Sequence, residues 1–161
     1  MKKPKYILTD IEGTTTPKTF VYDVLFPYFE QKIKALPALM ENEKFKNTFE
    51  EISAVIQREQ GVIADAELIQ ATLESWVKTD RKETSMKQLQ GLIWENGYQE
   101  GVLKGELYID VKNCFEQWKQ EEIQIAIYSS GSVQAQKLLF GFSDKGDLTP
   151  YISAYFDTKI G

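Results

Sequence analysis

The chain has 161 residues, 42% hydrophobic and 27% charged, with a formal net charge of -5 and no histidine. That composition reads as a soluble globular protein, long enough for one domain or for a small domain carrying an inserted one. Its acidity argues against nucleic acid as a partner, and the absence of histidine excludes a Ser-His-Asp triad, a Cys-His pair and a histidine metal site, so acid–base work falls to Asp, Glu, Lys, Tyr or Cys.

The apolar run Tyr6, Ile7 and Leu8 predicts a buried strand that ends at Asp10. Gly13, Thr14 to Thr16 and Pro17 predict the loop that follows. Val21, Leu25, Phe29 and Ile33 then recur at helical spacing, with Pro27 marking a kink or a late start and Pro37 closing the segment. A second stripe, Phe45, Phe49, Ile52 and Ile56, predicts a helix ending before Gly61. Asp65 is a candidate cap for a third helix with Ile69, Leu73, Trp76 and Val77. Ser85 is a candidate cap for a fourth, with Leu89, Leu92 and Ile93 on one side and Gly97 as its end. All these stripes are read as core.

After Gly101 the period changes. Asp110 opens a helix with Val111, Phe115 and Trp118, and IQIAIY at 123–128 predicts an interior parallel strand. Ser129 to Ser132 lead into a helix, VQAQKLLF, that stops near Gly141, and ISAYF predicts a last strand before Asp157. The order is strand, helical excursion, helix, strand, helix, strand. It predicts an α/β fold, a parallel sheet with an inserted all-helical domain. The sheet domain takes 1–17 and 101–161, and the helical domain 18–100.

Open α/β sheets place their sites at the carboxyl ends of parallel strands. Two polar clusters fall there, Asp10 to Thr16 and Ser129 to Ser132, and they meet if the two strands are neighbours. An ionised aspartate can attack phosphorus without a base to activate it, provided a cation masks the repulsion between carboxylate and phosphate. Oxygen ligands without histidine suit Mg²⁺. Glu12 is placed to act as acid and base, while Thr14, Gly13, Ser129, Ser130 and Gly131 offer hydroxyls and N–H groups to an anion. The bland alternatives stand beside these: Asp10 as a turn or cap residue, Glu12 as a solvated loop residue, and Ser129 to Ser132 as an ordinary capping loop.

DIEGTTT at 10–16 resembles the first motif of the haloacid dehalogenase-like superfamily, with Glu12 where most of its phosphatases have Asp. IYSSGSVQAQKLLFG at 127–141, KQLQGLIWENGY at 87–98 and FDTKIG at 156–161 resemble one branch, the enolase-phosphatases of methionine salvage. The resemblance implies a Rossmann-like core with a helical cap and a Mg²⁺ cofactor. It implies Asp10 as nucleophile and metal ligand, and Glu12 as acid–base residue and second ligand through its backbone oxygen. It also implies phosphate contacts from Thr14, Ser129, Ser130 and Gly131, and a possible cap contact from Lys87. The implied reaction converts 2,3-diketo-5-methylthiopentyl-1-phosphate to an acireductone and phosphate. A generic small-molecule phosphatase of the same fold and a non-catalytic fragment or interaction module are the competing readings.

The same resemblance implies a third-motif lysine and a fourth-motif aspartate beyond Gly161. The sequence is therefore expected to be C-terminally incomplete, inactive alone, and either completed by another chain or prone to self-association; the family form is expected to be monomeric. Lys159 and Lys137 are not assigned the missing lysine's role. The expected partner is a small phosphorylated molecule, with neither nucleic acid nor membrane. Cys114 is the only cysteine. That, the lack of a signal peptide and the lack of a long apolar run predict the cytoplasm.

Overall fold

A computed structural model describes residues 3–160. In chain order the elements are β1 (Tyr6–Thr9), α1 (Phe26–Ile33), α2 (Leu36–Met40), α3 (Lys46–Gln60), α4 (Ala66–Lys78), α5 (Thr84–Gln99), α6 (Val111–Gln120), β2 (Gln124–Tyr128), α7 (Val133–Gly141) and β3 (Ile152–Phe156). Two compact units result: the described part of Met1–Val24 with Glu95–Gly161, and Leu25–Trp94. The divisions fall later on entry and earlier on exit than the glycine- and proline-rich junctions suggest, the second one inside α5.

The first unit holds a three-stranded sheet in the order β1-β2-β3. Both pairings are parallel, with Ile7 opposite Ile125, Thr9 opposite Ile127, and Ile127 opposite Tyr155. α6 packs on β2 and α7 on β3. The two helices meet through Phe115 and Phe140, whose ring centroids lie 6.0 Å apart. The sheet face they cover carries Ile125 and Ile127, both fully buried. β1 departs from the buried strand expected. Alternate side chains point to opposite faces, and β1 pairs along one edge only. Tyr6 (68% exposed) and Leu8 (64%) therefore stand on the uncovered face.

The second unit is helical, and its core is the set of apolar stripes: Phe29, Ile33, Leu36, Phe45, Ile52, Ile69, Leu73 and Leu89 are all buried. Helical residues run without a break from Lys18 through a π-helical stretch, Phe20–Leu25, into α1, so Pro27 lies inside a continuous helical run, directly after that irregular stretch. Pro37 sits in the first turn of α2, where a missing N–H costs nothing, and does not close the segment. Gly61 stops α3 at φ 71°, a left-handed conformation that a Cβ would disfavour. Asp65 caps α4 by accepting from the Leu68 N–H at 2.9 Å. Two expectations fail at α5. The helix starts at Thr84, so Ser85 lies inside it and is buried. It also runs through Gly97, a buried residue, and ends before Gly101, which adopts φ 73°. Burial outweighs the roughly 1 kcal/mol that glycine costs within a helix.

Candidate active site

The loop after β1 is folded by its own backbone. The Ile11 carbonyl accepts from the N–H groups of Thr14, Thr15 and Thr16 at 3.1, 3.0 and 3.0 Å, and Gly13 N–H donates to the Thr16 carbonyl at 2.7 Å. Gly13 takes φ 78°, which the tight turn requires. Thr15 and Thr16 are buried, and the Thr15 hydroxyl donates to the Asp10 carbonyl at 3.2 Å. The threonine run is thus largely structural, and it holds the backbone of Asp10. The Asp10 side chain accepts the Ile11 N–H at 2.7 Å through Oδ1.

Ser129 follows β2 directly. Its N–H donates to the Phe156 carbonyl at 3.2 Å, and its Oγ accepts the Gly131 N–H at 3.3 Å. Because β1 and β2 are parallel neighbours, their carboxyl ends share one cavity of about 420 Å³. Leu8, Thr9, Asp10, Glu12, Tyr128, Ser129 and Ser130 line it. Asp10 and Glu12 reach it by the turn at Ile11, without an extended chain between them.

The other sequence candidates lie elsewhere. Thr14 is exposed and outside the lining. Gly131 also lies outside it, and its N–H is engaged by Ser129. The first amides of α7 have partners too: Val133 N–H donates to Asp157 Oδ2 at 3.3 Å and Ala135 N–H to Ser132 Oγ at 3.2 Å. An incoming anion would therefore meet hydroxyls before free amides. Lys87 belongs to the helical unit, where it lines a small cavity of about 50 Å³ with Trp76, Arg81 and Gln90 among others. Leu89 and Trp94 are core, the Trp94 indole donating to the Leu25 carbonyl at 3.0 Å. Lys137 lies 5.7 Å over the Tyr155 ring. Leu8 and Tyr128 were legible only as strand residues; their exposure beside Asp10 depends on which strands pair.

Two carboxylates and four hydroxyl-bearing residues line the cavity, with no cation among the lining residues. Such a donor set is oxygen-only. Among the described residues no group of three or more His, Cys, Asp or Glu is placed to hold a metal. A dedicated protein cage is thus absent from those residues, but Mg²⁺ needs only one or two carboxylates together with waters and a substrate phosphate, which Asp10 and Glu12 fit. Among the described residues no helix is long and apolar enough to cross a membrane.

No family model matches the chain. Enolase-phosphatase E1 of Picosynechococcus sp. is 45% identical over 157 residues, covering 98% of this chain and 69% of that protein. Enolase-phosphatase E1 of Pseudomonas fluorescens is 48% identical over 158 residues, covering 98% and 68%. Among solved structures, the UTR4 protein of Saccharomyces cerevisiae superposes with a TM-score of 0.78 at 34% identity, over 98% of this chain and 68% of that one. With nearly the whole chain matched at this identity, and a parallel sheet carrying an inserted helical unit, the protein belongs to the enolase-phosphatase E1 family.

Proposed function

We propose that the protein is a Mg²⁺-dependent enolase-phosphatase acting on 2,3-diketo-5-methylthiopentyl-1-phosphate through an aspartyl-phosphate on Asp10. What supports the reading is one juxtaposition: Asp10 and Glu12 from the end of β1 share a cavity with Ser129 and Ser130 from the end of β2. The family names of the relatives agree with it.

In this reading the serine hydroxyls bind the phosphate oxygens and aim phosphorus at the Asp10 carboxylate. Mg²⁺, held by the Asp10 carboxylate and the Glu12 carbonyl, would offset the charge between carboxylate and phosphate. Glu12 takes a proton from C1 of the diketone, and the C2 oxygen gains one from water, giving the enol. Asp10 then attacks phosphorus while the bond from phosphorus to the C1 oxygen breaks, and Glu12 returns its proton to that oxygen. The acireductone leaves. Water attacks the aspartyl-phosphate, Glu12 accepts its proton and passes it to solvent, replacing the one the enol took, and inorganic phosphate departs with both carboxylates restored. In this reading the helical unit is the cap.

The test is phosphate release from the diketo-phosphate by the intact protein and by its Asp10→Asn variant, with and without Mg²⁺. The expected outcome is Mg²⁺-dependent release that falls by about 10³-fold or more in the variant. Release that survives the substitution, or equal release from unrelated sugar phosphates, would overturn the reading. Phosphate binding without release would favour a non-catalytic binding module.

A further inference from the structure

We propose that Gln136 is the positioning residue of the Ser129–Gly131 loop, holding it to the end of β3 through its side-chain amide. The inference rests on the reading of that loop as the phosphate contact, but the loop geometry can be tested apart from it.

Gln136 lies in α7 and is 1% exposed. Its Nε2 donates to the Gly131 carbonyl at 2.9 Å and to the Phe156 carbonyl at 2.8 Å. Both amide protons are thus used, one on the loop and one on the last residue of β3. The Phe156 carbonyl also accepts the Ser129 N–H at 3.2 Å. One carbonyl at the end of β3 therefore gathers the start of the loop and the side chain that holds its end.

The orientation of the amide follows from its partners. A flipped amide would set Oε1 against two carbonyl oxygens, so the nitrogen must face them. Oε1 is consequently buried without a partner. An apolar side chain of similar size would avoid that unsatisfied acceptor, and mere packing would favour it. The position accepts the cost and gains a link between β3 and the loop. Ser129 and Ser130 line the cavity beside Asp10, and Gln136 does not. It acts through the Gly131 carbonyl, and the Gly131 N–H in turn donates to Ser129 Oγ.

The experiment is amide hydrogen exchange by NMR on the wild-type chain and on Gln136→Met, which keeps the volume and removes both donors. In the variant, exchange of the Ser129 to Gly131 amides should accelerate about tenfold relative to amides of β2, the equivalent of one hydrogen bond. The melting temperature should move little. Unchanged loop exchange in a folded variant would overturn the proposal. The wild-type chain supplies a check that needs no variant: the two Gln136 side-chain N–H protons should be separately resolved and slow to exchange. Fast exchange with water would also overturn it. Titration with inorganic phosphate separates the two readings. A Kd raised about tenfold in Gln136→Met joins loop geometry to phosphate binding, whereas a loosened loop with unchanged phosphate affinity keeps the positioning role and removes the phosphate reading.

Discussion

The helical unit and the α/β unit use polar residues in opposite ways. In the helical unit Arg81 forks onto Glu59 with bonds of 2.9 and 2.6 Å, reaches Glu83 at 3.1 Å, and lies 4.7 Å over the Trp76 ring. The hydrogen bond from Arg81 holds the Glu59 carboxyl below its ordinary range. These charges neutralise each other locally. In the α/β unit Asp10 and Glu12 line one cavity at a strand end, with no cation among the residues that line it. The contrast sets the proposed site at the sheet end apart from the helical unit's Arg81 network, whose groups bind one another.

Substitutions in each unit can break or sharpen that contrast. The largest effect is expected from Phe29→Ala, which empties a fully buried site in the helical unit and should cost about 3–5 kcal/mol. Hydrogen exchange should accelerate in α1, α3 and α4 before β2; uniform acceleration would mean that the two units melt as one. Gly105→Ala is the counterpart in the α/β unit. A Cβ there would meet the Leu139 carbonyl oxygen at an impossible 2.2 Å, so the backbone must shift at about 1–3 kcal/mol. Denaturant titration should show that loss, and exchange should accelerate in α7 first. Asp65→Ala removes the cap of α4 and should cost about 1 kcal/mol, confined to the helical unit. A loss of phosphate binding in this variant would contradict a purely structural role for that helix start.

The smallest effect concerns alkaline pH. The phenols of Tyr98, Tyr151 and Tyr155, all in the α/β unit, are raised chiefly by burial. Tyr155 is pushed up to about 12 from 10.0, with the Asp147 charge adding to the burial. A pKa raised on folding gives stability that is complete below the unfolded value and is lost as pH rises through the folded one. The melting temperature should therefore fall between pH 10 and about 12, less steeply in Tyr155→Phe. Equal slopes would rule Tyr155 out as a cause.

Residues that act through their own backbone were legible in advance. Gly61 stops α3, Asp65 caps α4, and the isoleucines at 123, 125 and 127 lead into and build the central strand, because φ, a local hydrogen bond and a period of two are properties of short segments. Gly97 misled for the same reason: a helix breaker in isolation is carried through by burial. Ser85 looked like a cap, but the helix begins before it. Tyr6 and Leu8 read as buried because hydrophobicity does not say which face of a sheet is covered.

For the candidate site the same division holds. The sequence alone determined which chemistry is present, two carboxylates after one strand and serines after another, because reactive groups are named by their residue types. Only the tertiary structure decided that β1 and β2 are neighbours, that Thr15 and Thr16 serve the turn, and that Gln136 ties the serine loop to β3. Strand order and buried hydrogen bonds join residues far apart in the chain, and their free energy depends on the partner each group finds once the core has closed.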